Sequence, residues 1–174
     1  MSDDRPEAPE QAPETARVTA FVELPPHAAF ALFTEHTERW WRRDLRFRWG
    51  EPAGVMRFEG GSGGRVIEVL DQGAPFEVGR VLVWEPGARL SFEWRGRDVA
   101  ENERTQVEIR FEPAPGGTRI TLEHRGWDAL RPEHRARHGL RGPAFEAMIG
   151  MFWGDQLTSL RAHARKSRAA QPAG

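Results

Sequence analysis

The chain of 174 residues contains no cysteine and no tyrosine, and its one lysine is Lys166, near the C-terminal end. Without cysteine there are no disulfides, no thiolate nucleophile and no cysteine-ligated metal. A single lysine in that position is poorly placed for a buried Schiff base, which argues against pyridoxal-phosphate chemistry. These absences narrow the range of possible enzyme chemistry sharply.

The chain also lacks a strong net charge and a long hydrophobic run. The formal net charge is -1, so the overall field gives no general attraction to nucleic acid or anionic lipid. The first fifteen residues, MSDDRPEAPEQAPET, are acidic and proline-rich, and we interpret residues 1–15 as a disordered leader. We therefore expect no signal peptide, no membrane span and no nucleic-acid partner, and a cytoplasmic protein.

The longest periodic segment lies near the C-terminus. Between Pro143 and Lys166, apolar residues recur every three or four positions, which predicts one long helix with an apolar stripe. The stripe consists of Phe145, Met148, Ile149, Phe152, Trp153, Leu157 and Leu160. Such a helix is about 34 Å long and can cross a small domain. The remaining residues, 167–174, are expected to form a disordered tail.

Upstream of this helix the hydrophobic pattern has the two-residue period of strands. One strand begins near Arg17, and three hairpins follow within residues 55–125. Two short helical pieces lie between them, within residues 25–41. We predict a single α+β domain over residues 16–166, in which a seven-stranded antiparallel sheet curves around the long C-terminal helix.

Four stretches carry a resemblance to a known superfamily. They are PPHAAFALFTEHTERWW at 25–41, VGRVLVWEPGARLSFEW at 78–94, GGTRITLEHRGW at 116–127, and Trp153, Leu157 and Leu160 of the final helix. Over about residues 16–165 the chain resembles the START-like superfamily, also called helix-grip or SRPBCC. Within it, the chain is most similar to the branch named for the C-terminal domain of the activator of the heat-shock-protein-90 ATPase.

The resemblance implies a cavity between the sheet and the long helix. The superfamily uses this cavity for lipids, aromatic polyketides and other apolar molecules; many members only bind, and some are cyclases or hydrolases. The final helix here reads Phe152-Trp153 where the branch usually shows Gly-Trp. The bulkier pair implies a smaller cavity.

A set of large apolar residues is expected to face this cavity. They are Phe30, Phe33, Trp41, Phe58, Trp84, Phe92, Trp94, Met148, Phe152 and Trp153. For any one of them, core packing is a stronger interpretation than ligand contact, because protein interiors have few voids. For the group, a pocket and a filled core are about equally good interpretations. The tryptophans are the better candidates, since their flat rings suit aromatic ligands.

His124 is the most informative polar residue. Strand alternation places it on the same inward face as Ile120 and Leu122. There it is more simply a hydrogen-bonded core histidine than a catalytic one. The same alternation turns Arg80 and Glu68 inward, where the three side chains could orient a ligand headgroup or form an internal ion pair. A β-bulge in either hairpin would instead turn Arg80 and Glu68 outward.

Three further patterns are weaker signals. Gly60–Gly64 matches G-x-S-x-G, but a strand follows it instead of a helix, so we predict a hairpin turn and not a serine nucleophile. His134 and His138 have metal-compatible spacing, yet no third ligand accompanies them and we predict no metal site. The arginines of residues 126–142 predict an exposed, solvated excursion rather than an anion-binding rim.

The leading hypothesis is that the protein binds a small apolar ligand, aromatic or lipid-like, without covalent chemistry and without a cofactor. Two alternatives stay open. One is an enzyme of the polyketide cyclase or hydrolase type with His124 as general base. The other is a chaperone-associated or other protein-interaction module. The eponymous activator of the branch has a separate chaperone-binding N-terminal domain, whereas only about fifteen residues precede the first strand here, which argues against chaperone activation.

Overall fold

Seven strands form one antiparallel sheet that curls into a half-barrel, as predicted. The structure is a computed structural model and describes residues 14–43, 54–96 and 98–170. The strands are β1 (Ala16–Val22), β2 (Val55–Glu59), β3 (Arg65–Val69), β4 (Phe76–Glu85), β5 (Arg89–Trp94), β6 (Thr105–Ala114) and β7 (Gly117–Arg125). Their order across the sheet is β1-β7-β6-β5-β4-β3-β2. The first strand therefore pairs with the last, and sequential hairpins build the rest.

Within the described residues, three α-helices accompany the sheet: α1 (Pro26–Glu35), α2 (Thr37–Trp40) and α3 (Gly142–Ala169). Pro26 and Pro143 each occupy a first helical turn, where a missing backbone N–H costs nothing. The 28 residues of α3 give it a length of about 42 Å. It continues three residues beyond the predicted end at Lys166, into the predicted tail. Among the helices of the described residues, none is long and apolar enough to cross a membrane.

The core lies between α3 and the concave face of the sheet. On α3, every residue of the predicted stripe except the half-buried Met148 is buried. On the sheet, the inward positions of β6 and β7 are fully enclosed; they include Val107, Ile109, Ile120 and Leu122, each 0% exposed. Burying side chains of this size contributes about 1.5–3 kcal/mol each. The apolar residues that recur at every second position of the strands and those that form the stripe of α3 thus pack into one shared core.

The N-terminal stretch is attached to the domain just before β1. The carboxylate of Glu14 accepts hydrogen bonds from the Arg137 guanidinium (3.1 Å) and from the backbone N–H of Gly142 (2.7 Å). The backbone N–H of Thr15 donates to Glu146. Hydrogen bonds and the Arg137 charge hold the pKa of Glu14 below its usual range, outweighing the opposing effect of burial. The predicted leader over residues 1–15 otherwise lies outside the described residues, as do 171–174 of the predicted tail.

Residues 126–142 are not the exposed excursion predicted from their arginines. Trp127, Leu130 and Ala136 are buried, in or beside two 3-10 turns (Trp127–Ala129 and Arg135–Arg137). Arg137 itself is 4% exposed. Its guanidinium donates to the Leu130 carbonyl oxygen (3.1 Å) and lies 4.8 Å from the centre of the Phe145 ring. The prediction was wrong because interspersed apolar residues, which the arginines obscured, pack this segment onto the start of α3.

Candidate functional site

A small cavity lies where α2, the sheet and α3 meet. Its lining is almost entirely aromatic: Phe33, Thr37, Trp40, Trp41, Met56, Phe58, Phe92, Trp94 and Trp153. The cavity measures about 10 Å³, which is room for about one water molecule. The space predicted between sheet and helix is thus largely filled by side chains.

Ring packing explains why the space is so small. The rings of Trp94 and Trp153 meet edge to face, with centroids 5.5 Å apart and an interplanar angle of 74°. Phe58 and Phe92 do the same at 5.2 Å and 79°. Phe152 adds a further ring, 6.1 Å from Trp41. Such arrangements are favourable for aromatic pairs, and the bulky Phe152-Trp153 pair of α3 contributes to them.

A larger cleft of about 420 Å³ opens to solvent beside this cavity. Its lining residues come from α1, α2, β2 and β4 and the turn after β2: Thr34, Glu35, Thr37, Glu38, Arg57, Phe58, Gly60 and Trp84. Two residues, Thr37 and Phe58, line both the cleft and the cavity. Phe58 is only half-buried. Its side chain is therefore part of the wall between open cleft and closed cavity.

Two indole groups in the cavity wall have unused hydrogen-bond donors. The Nε1 atoms of Trp41 and Trp94 are buried, and neither has an acceptor within the part of the chain that the structure describes. Two other indoles of the wall are bonded: Trp40 Nε1 donates to the Leu32 carbonyl oxygen (2.9 Å), and Trp153 Nε1 donates to His124 Nδ1 (3.0 Å). Since buried polar groups are normally paired, these two donors are exceptions within the wall.

His124 lies behind the cavity, fully buried. Because Trp153 donates to its Nδ1, that nitrogen carries no proton and Nε2 bears the hydrogen. Nε2 is 2.7 Å from the Thr105 hydroxyl, which donates in turn to the Trp94 carbonyl oxygen at 2.8 Å. Burial lowers the pKa of His124 to about 3. Both ring nitrogens are thus occupied in a neutral imidazole, as predicted for a satisfied core histidine.

Arg80 points outward, contrary to the predicted inward orientation. Its side chain is 53% exposed and pairs with Glu77 at 3.2 Å. The pairing of β4 shifts register on both sides, between Val66 and Ile67 towards β3 and between Val81 and Val83 towards β5. These irregularities reverse the alternation, so that Val81 is buried while Leu82 is 44% exposed. Simple parity cannot anticipate such a slip.

The predicted cluster of His124, Arg80 and Glu68 is consequently absent. Glu68 is half-buried on β3 and accepts a hydrogen bond from the backbone N–H of Gly54 at 2.9 Å. His124 is on β7, and three strands separate β3 from β7 in the sheet. No headgroup site is formed by these residues.

The structure brings six of the predicted ligand contacts together around the cavity: Phe33, Trp41, Phe58, Phe92, Trp94 and Trp153. Trp84 lines the cleft, and Phe30 packs against it edge to face at 5.1 Å. Met148 and Phe152 belong to the core but not to the cavity lining. Sequence reasoning missed Thr37, Trp40 and Met56. Met56 shares strand parity with Phe58, a signal that was sufficient to find it.

The other sequence candidates do not form sites. Residues Gly60–Gly64 make the turn between β2 and β3, as predicted. His134 Nδ1 accepts a hydrogen bond from the backbone N–H of Ala136 at 3.1 Å. Within residues 14–43, 54–96 and 98–170, no group of three or more histidine or carboxylate side chains could hold a metal ion. The arginines nearby bind protein carboxylates, for example Arg131 to Glu103.

Residues 23–160 match the family described as "Activator of Hsp90 ATPase homolog 1-like protein". The chain belongs to this family. The match confirms the predicted START-like, helix-grip assignment and covers strands β2 to β7, both short helices and most of α3. The curated proteins contain no match to this chain.

Solved structures support the same fold. Protein MLL2253 from Mesorhizobium loti has a TM-score of 0.58 and 21% identity, with 85% of this chain and 94% of that chain covered. CalU16 from Micromonospora echinospora has a TM-score of 0.58 and 18% identity, covering 87% and 74%. The Aha1 dimer from Colwellia psychrerythraea has a TM-score of 0.59 and 15% identity, covering 84% and 92%. Identities this low show a common fold and no shared activity.

Proposed function

We propose that this member of the Activator of Hsp90 ATPase homolog 1-like family binds a small apolar ligand in the aromatic cavity. The observation that carries the proposal is the arrangement of cavity, Phe58 and cleft. A space lined by aromatic rings is separated from an open cleft by Phe58 and Thr37. Rotation of the Phe58 side chain, which is only half-buried, would join the two spaces.

The energetics favour weak to moderate affinity. Burying about 200 Å² of apolar ligand surface supplies about 5 kcal/mol before the costs of association. Displacing Phe58 from its contacts with Phe92 and Trp84 (centroid distances 5.2 and 6.2 Å) opposes binding. Specific recognition therefore depends on ligand shape and on any polar contact within the cavity.

The geometry does not support His124 as a general base. A base must offer a free nitrogen to the substrate proton, whereas both nitrogens of His124 are held by Trp153 and Thr105. A lowered pKa of about 3 also makes His124 a weak proton acceptor near neutral pH. Binding without covalent chemistry is the function that this environment favours.

The methionines provide a direct test, because one methyl group lies in the cavity wall and another is remote. Met56 is 4% exposed and lines the cavity, while Met151 is 71% exposed on α3. We would titrate indane into protein carrying ¹³C-labelled methionine methyl groups. We expect the Met56 resonance to shift and saturate while Met151 stays in place. An unmoved Met56 at saturating indane, or equal drift of both signals, would contradict the proposal.

A pair of variants tests the route of entry. Phe58→Ala removes part of the wall between cleft and cavity, so we expect faster indane exchange at Met56. Phe21→Ala is the matched control, because Phe21 is 40% exposed on β1 and lines neither the cavity nor the cleft. Equal exchange rates in the two variants would rule out entry past Phe58.

Native mass spectrometry of the protein purified from its own host would then identify the ligand class, through the mass of a co-purifying molecule. Recovery of a protein partner instead, together with no indane binding, would favour the protein-interaction alternative.

A further inference from the structure

We infer that the open cleft beside the cavity is a second binding site, which takes a small organic cation of the ammonium class and holds it between the carboxylate of Glu35 and the indole ring of Trp84. The cleft opens to solvent and is lined by polar and charged side chains as well as by rings. The inference concerns this cleft alone and does not depend on a ligand in the closed cavity.

The charged groups of the cleft favour a cation over an anion. Its lining contains two carboxylates, Glu35 and Glu38, and one guanidinium, Arg57. Among the described residues, neither Glu35 nor Arg57 has an ion pair. Glu38 has two long contacts, 3.7 Å to Arg39 and 3.9 Å to His36. An ammonium group that enters the cleft can therefore pair with Glu35 without displacing an existing partner.

The aromatic rings of the cleft supply a second attraction for a cation. Trp84 and Phe58 both line it, with ring centroids 6.2 Å apart and an interplanar angle of 58°. Phe30 meets the Trp84 ring edge to face at 5.1 Å and so supports it. Trp84 and Phe58 are only half-buried, so part of each ring is open to the cleft. A cation within about 6 Å of an aromatic ring centre is attracted to the face of that ring.

Two threonines with buried side chains add hydrogen-bond acceptors to the cleft. Thr34 and Thr37 line it and are 4% and 2% exposed. The Thr34 hydroxyl donates to the Phe30 carbonyl oxygen at 2.8 Å, so its oxygen can still accept.

The hydroxyl of Thr37 is the observation that is independent of the charges. It has no hydrogen-bond partner within the described residues, and it is not one of the fully enclosed polar atoms. The closed cavity exposes apolar atoms only, so this hydroxyl meets solvent in the cleft. An ammonium group carries three N–H donors. Thr37 and Glu35 together offer acceptors for them, which a quaternary or neutral ligand would not use.

The experiment compares three probes that share a benzyl group and differ in charge: benzylammonium, benzyl alcohol and benzoate. We would titrate each into ¹⁵N-labelled protein at about pH 7.5, where an aliphatic amine is protonated. The reporters are the indole N–H of Trp84 and the backbone N–H of Gly60, since both residues line the cleft. We expect both signals to shift and saturate with benzylammonium, at an affinity about fivefold or more above that of benzyl alcohol. Benzoate should bind more weakly than either.

A pair of glutamate variants tests the counter-ion. Glu35→Gln removes the charge and keeps the shape, so we expect benzylammonium affinity to fall about two- to fivefold, the effect of one exposed ion pair. Benzyl alcohol affinity should stay the same. Glu112→Gln is the matched control, because Glu112 is an exposed glutamate on β6 that lines neither the cleft nor the cavity. It should leave both affinities at their wild-type values.

A second pair tests the aromatic ring. Trp84→Leu should weaken benzylammonium binding about two- to fivefold, the range of an exposed cation–π contact, with Gly60 as the reporter. Trp84→Phe keeps an aromatic face and should recover part of this loss. Equal losses in the two variants would show that the ring face does not contribute.

A salt titration of wild type makes the test independent of how well the variants fold. Raising NaCl from about 20 mM to about 500 mM should weaken benzylammonium binding and leave benzyl alcohol unchanged, because salt screens the attraction between exposed charges. If the three probes bind alike, or if Glu35→Gln and Glu112→Gln behave alike, the inference is wrong. The methyl group of Met56 lines the cavity and not the cleft. Indane at Met56 and benzylammonium at Gly60 can therefore fail separately, which distinguishes the proposed function from this inference.

Discussion

Two regions of the aromatic core, one at His124 and one at the cavity, differ in whether their hydrogen-bonding groups have partners. At His124 both ring nitrogens are paired: Trp153 donates to one and the Thr105 hydroxyl meets the other. Around the cavity, the indoles of Trp41 and Trp94 line a void and have no acceptor among the described residues. The first region therefore fixes the packing of α3 on the sheet, and the second is where the proposed ligand would bind.

Trp153 joins the two regions. Its N–H bonds to His124, while its ring forms part of the cavity wall. Fixing this indole by a buried hydrogen bond keeps one wall of the cavity rigid. The opposite wall contains Phe58, which is half-buried and shared with the open cleft. The wall that contains Trp153 is thus fixed by a hydrogen bond, whereas the wall that contains Phe58 is partly exposed and can move more easily.

The largest expected effect comes from enlarging the cavity region alone. Phe152 is 5% exposed and packs on Trp41, Trp94 and Trp153. We expect Phe152→Ala to lower the free energy of unfolding by about 3–5 kcal/mol, measured by urea denaturation, and to tighten indane binding because the cavity grows. Phe145→Ala, the same deletion at a fully buried position away from the cavity, should cost as much stability without improving binding. Equal gains in both variants would contradict the assigned location.

The next largest effect is a pH dependence of the free energy of unfolding, which comes from His124. The pKa of His124 is about 3 in the folded protein, against 6.5 for an ordinary histidine. Below pH 6.5 the unfolded chain therefore binds a proton at His124 that the native state does not bind. This contribution to stability is complete above pH 6.5 and falls by about 1.4 kcal/mol per pH unit towards pH 3. Between pH 6.5 and 5 the loss is about 2 kcal/mol.

Urea denaturation over this interval should give a slope that a His124→Leu variant lacks. The interval stays above 4.5, the ordinary value from which the pKa values of Glu14 and Glu103 are lowered, and the stability that those two carboxylates contribute is lost mainly below that value. A wild-type slope equal to that of the variant would show that His124 protonates in the native state.

A smaller effect compares the same substitution in the two regions. Trp153→Phe removes a donor that His124 uses, whereas Trp94→Phe removes a donor without a protein acceptor. Both residues are buried, so the loss of ring volume is similar. We expect Trp153→Phe to cost about 1–3 kcal/mol more stability, because it leaves the Nδ1 atom of His124 unpaired. If Trp94→Phe lowers the stability equally, the Trp94 N–H group contributes a stabilising hydrogen bond in the fold and is not an unused donor.

The smallest effect concerns a residue outside both regions. Arg80 is 53% exposed and pairs with Glu77. Arg80→Ala should change stability by less than about 1 kcal/mol, as for other exposed ion pairs, and leave indane affinity unaltered. A marked loss of affinity would instead indicate that Arg80 points inward, as predicted from strand alternation.

Most of the fold could be predicted from periodicity, because each element buries one regular face. The stripe of α3 and the alternation of β6 and β7 are uninterrupted, and both were predicted correctly. Arg80 was misplaced because β4 slips register against both neighbours. Gly79, inside β4 at the shift towards β3, is the kind of residue that accompanies a bulge, but strand alternation alone takes no account of it. The segment 126–142 was misread because its arginines dominate its composition, while Arg137 is buried by partners far away in the chain, including Glu14.

Six of the nine residues that line the cavity could be predicted from the sequence, whereas the extent to which side chains fill the cavity could not. Ring size and strand parity select Trp41, Phe58 and Trp94, yet whether neighbouring rings fill the space depends on rotamers and contacts across the whole core. The same holds for hydrogen bonding. Sequence alone could not show that Trp153 reaches His124 while the Trp94 indole reaches no acceptor, since both are tryptophans on inward faces.

The most direct test of the account is a crystal structure of the protein grown with indane. We predict electron density for indane beside Trp41, Trp94 and an outwardly rotated Phe58. The Trp153–His124 hydrogen bond should be unchanged. A closed cavity with Phe58 in place, and indane absent or bound only at the surface, would contradict the account.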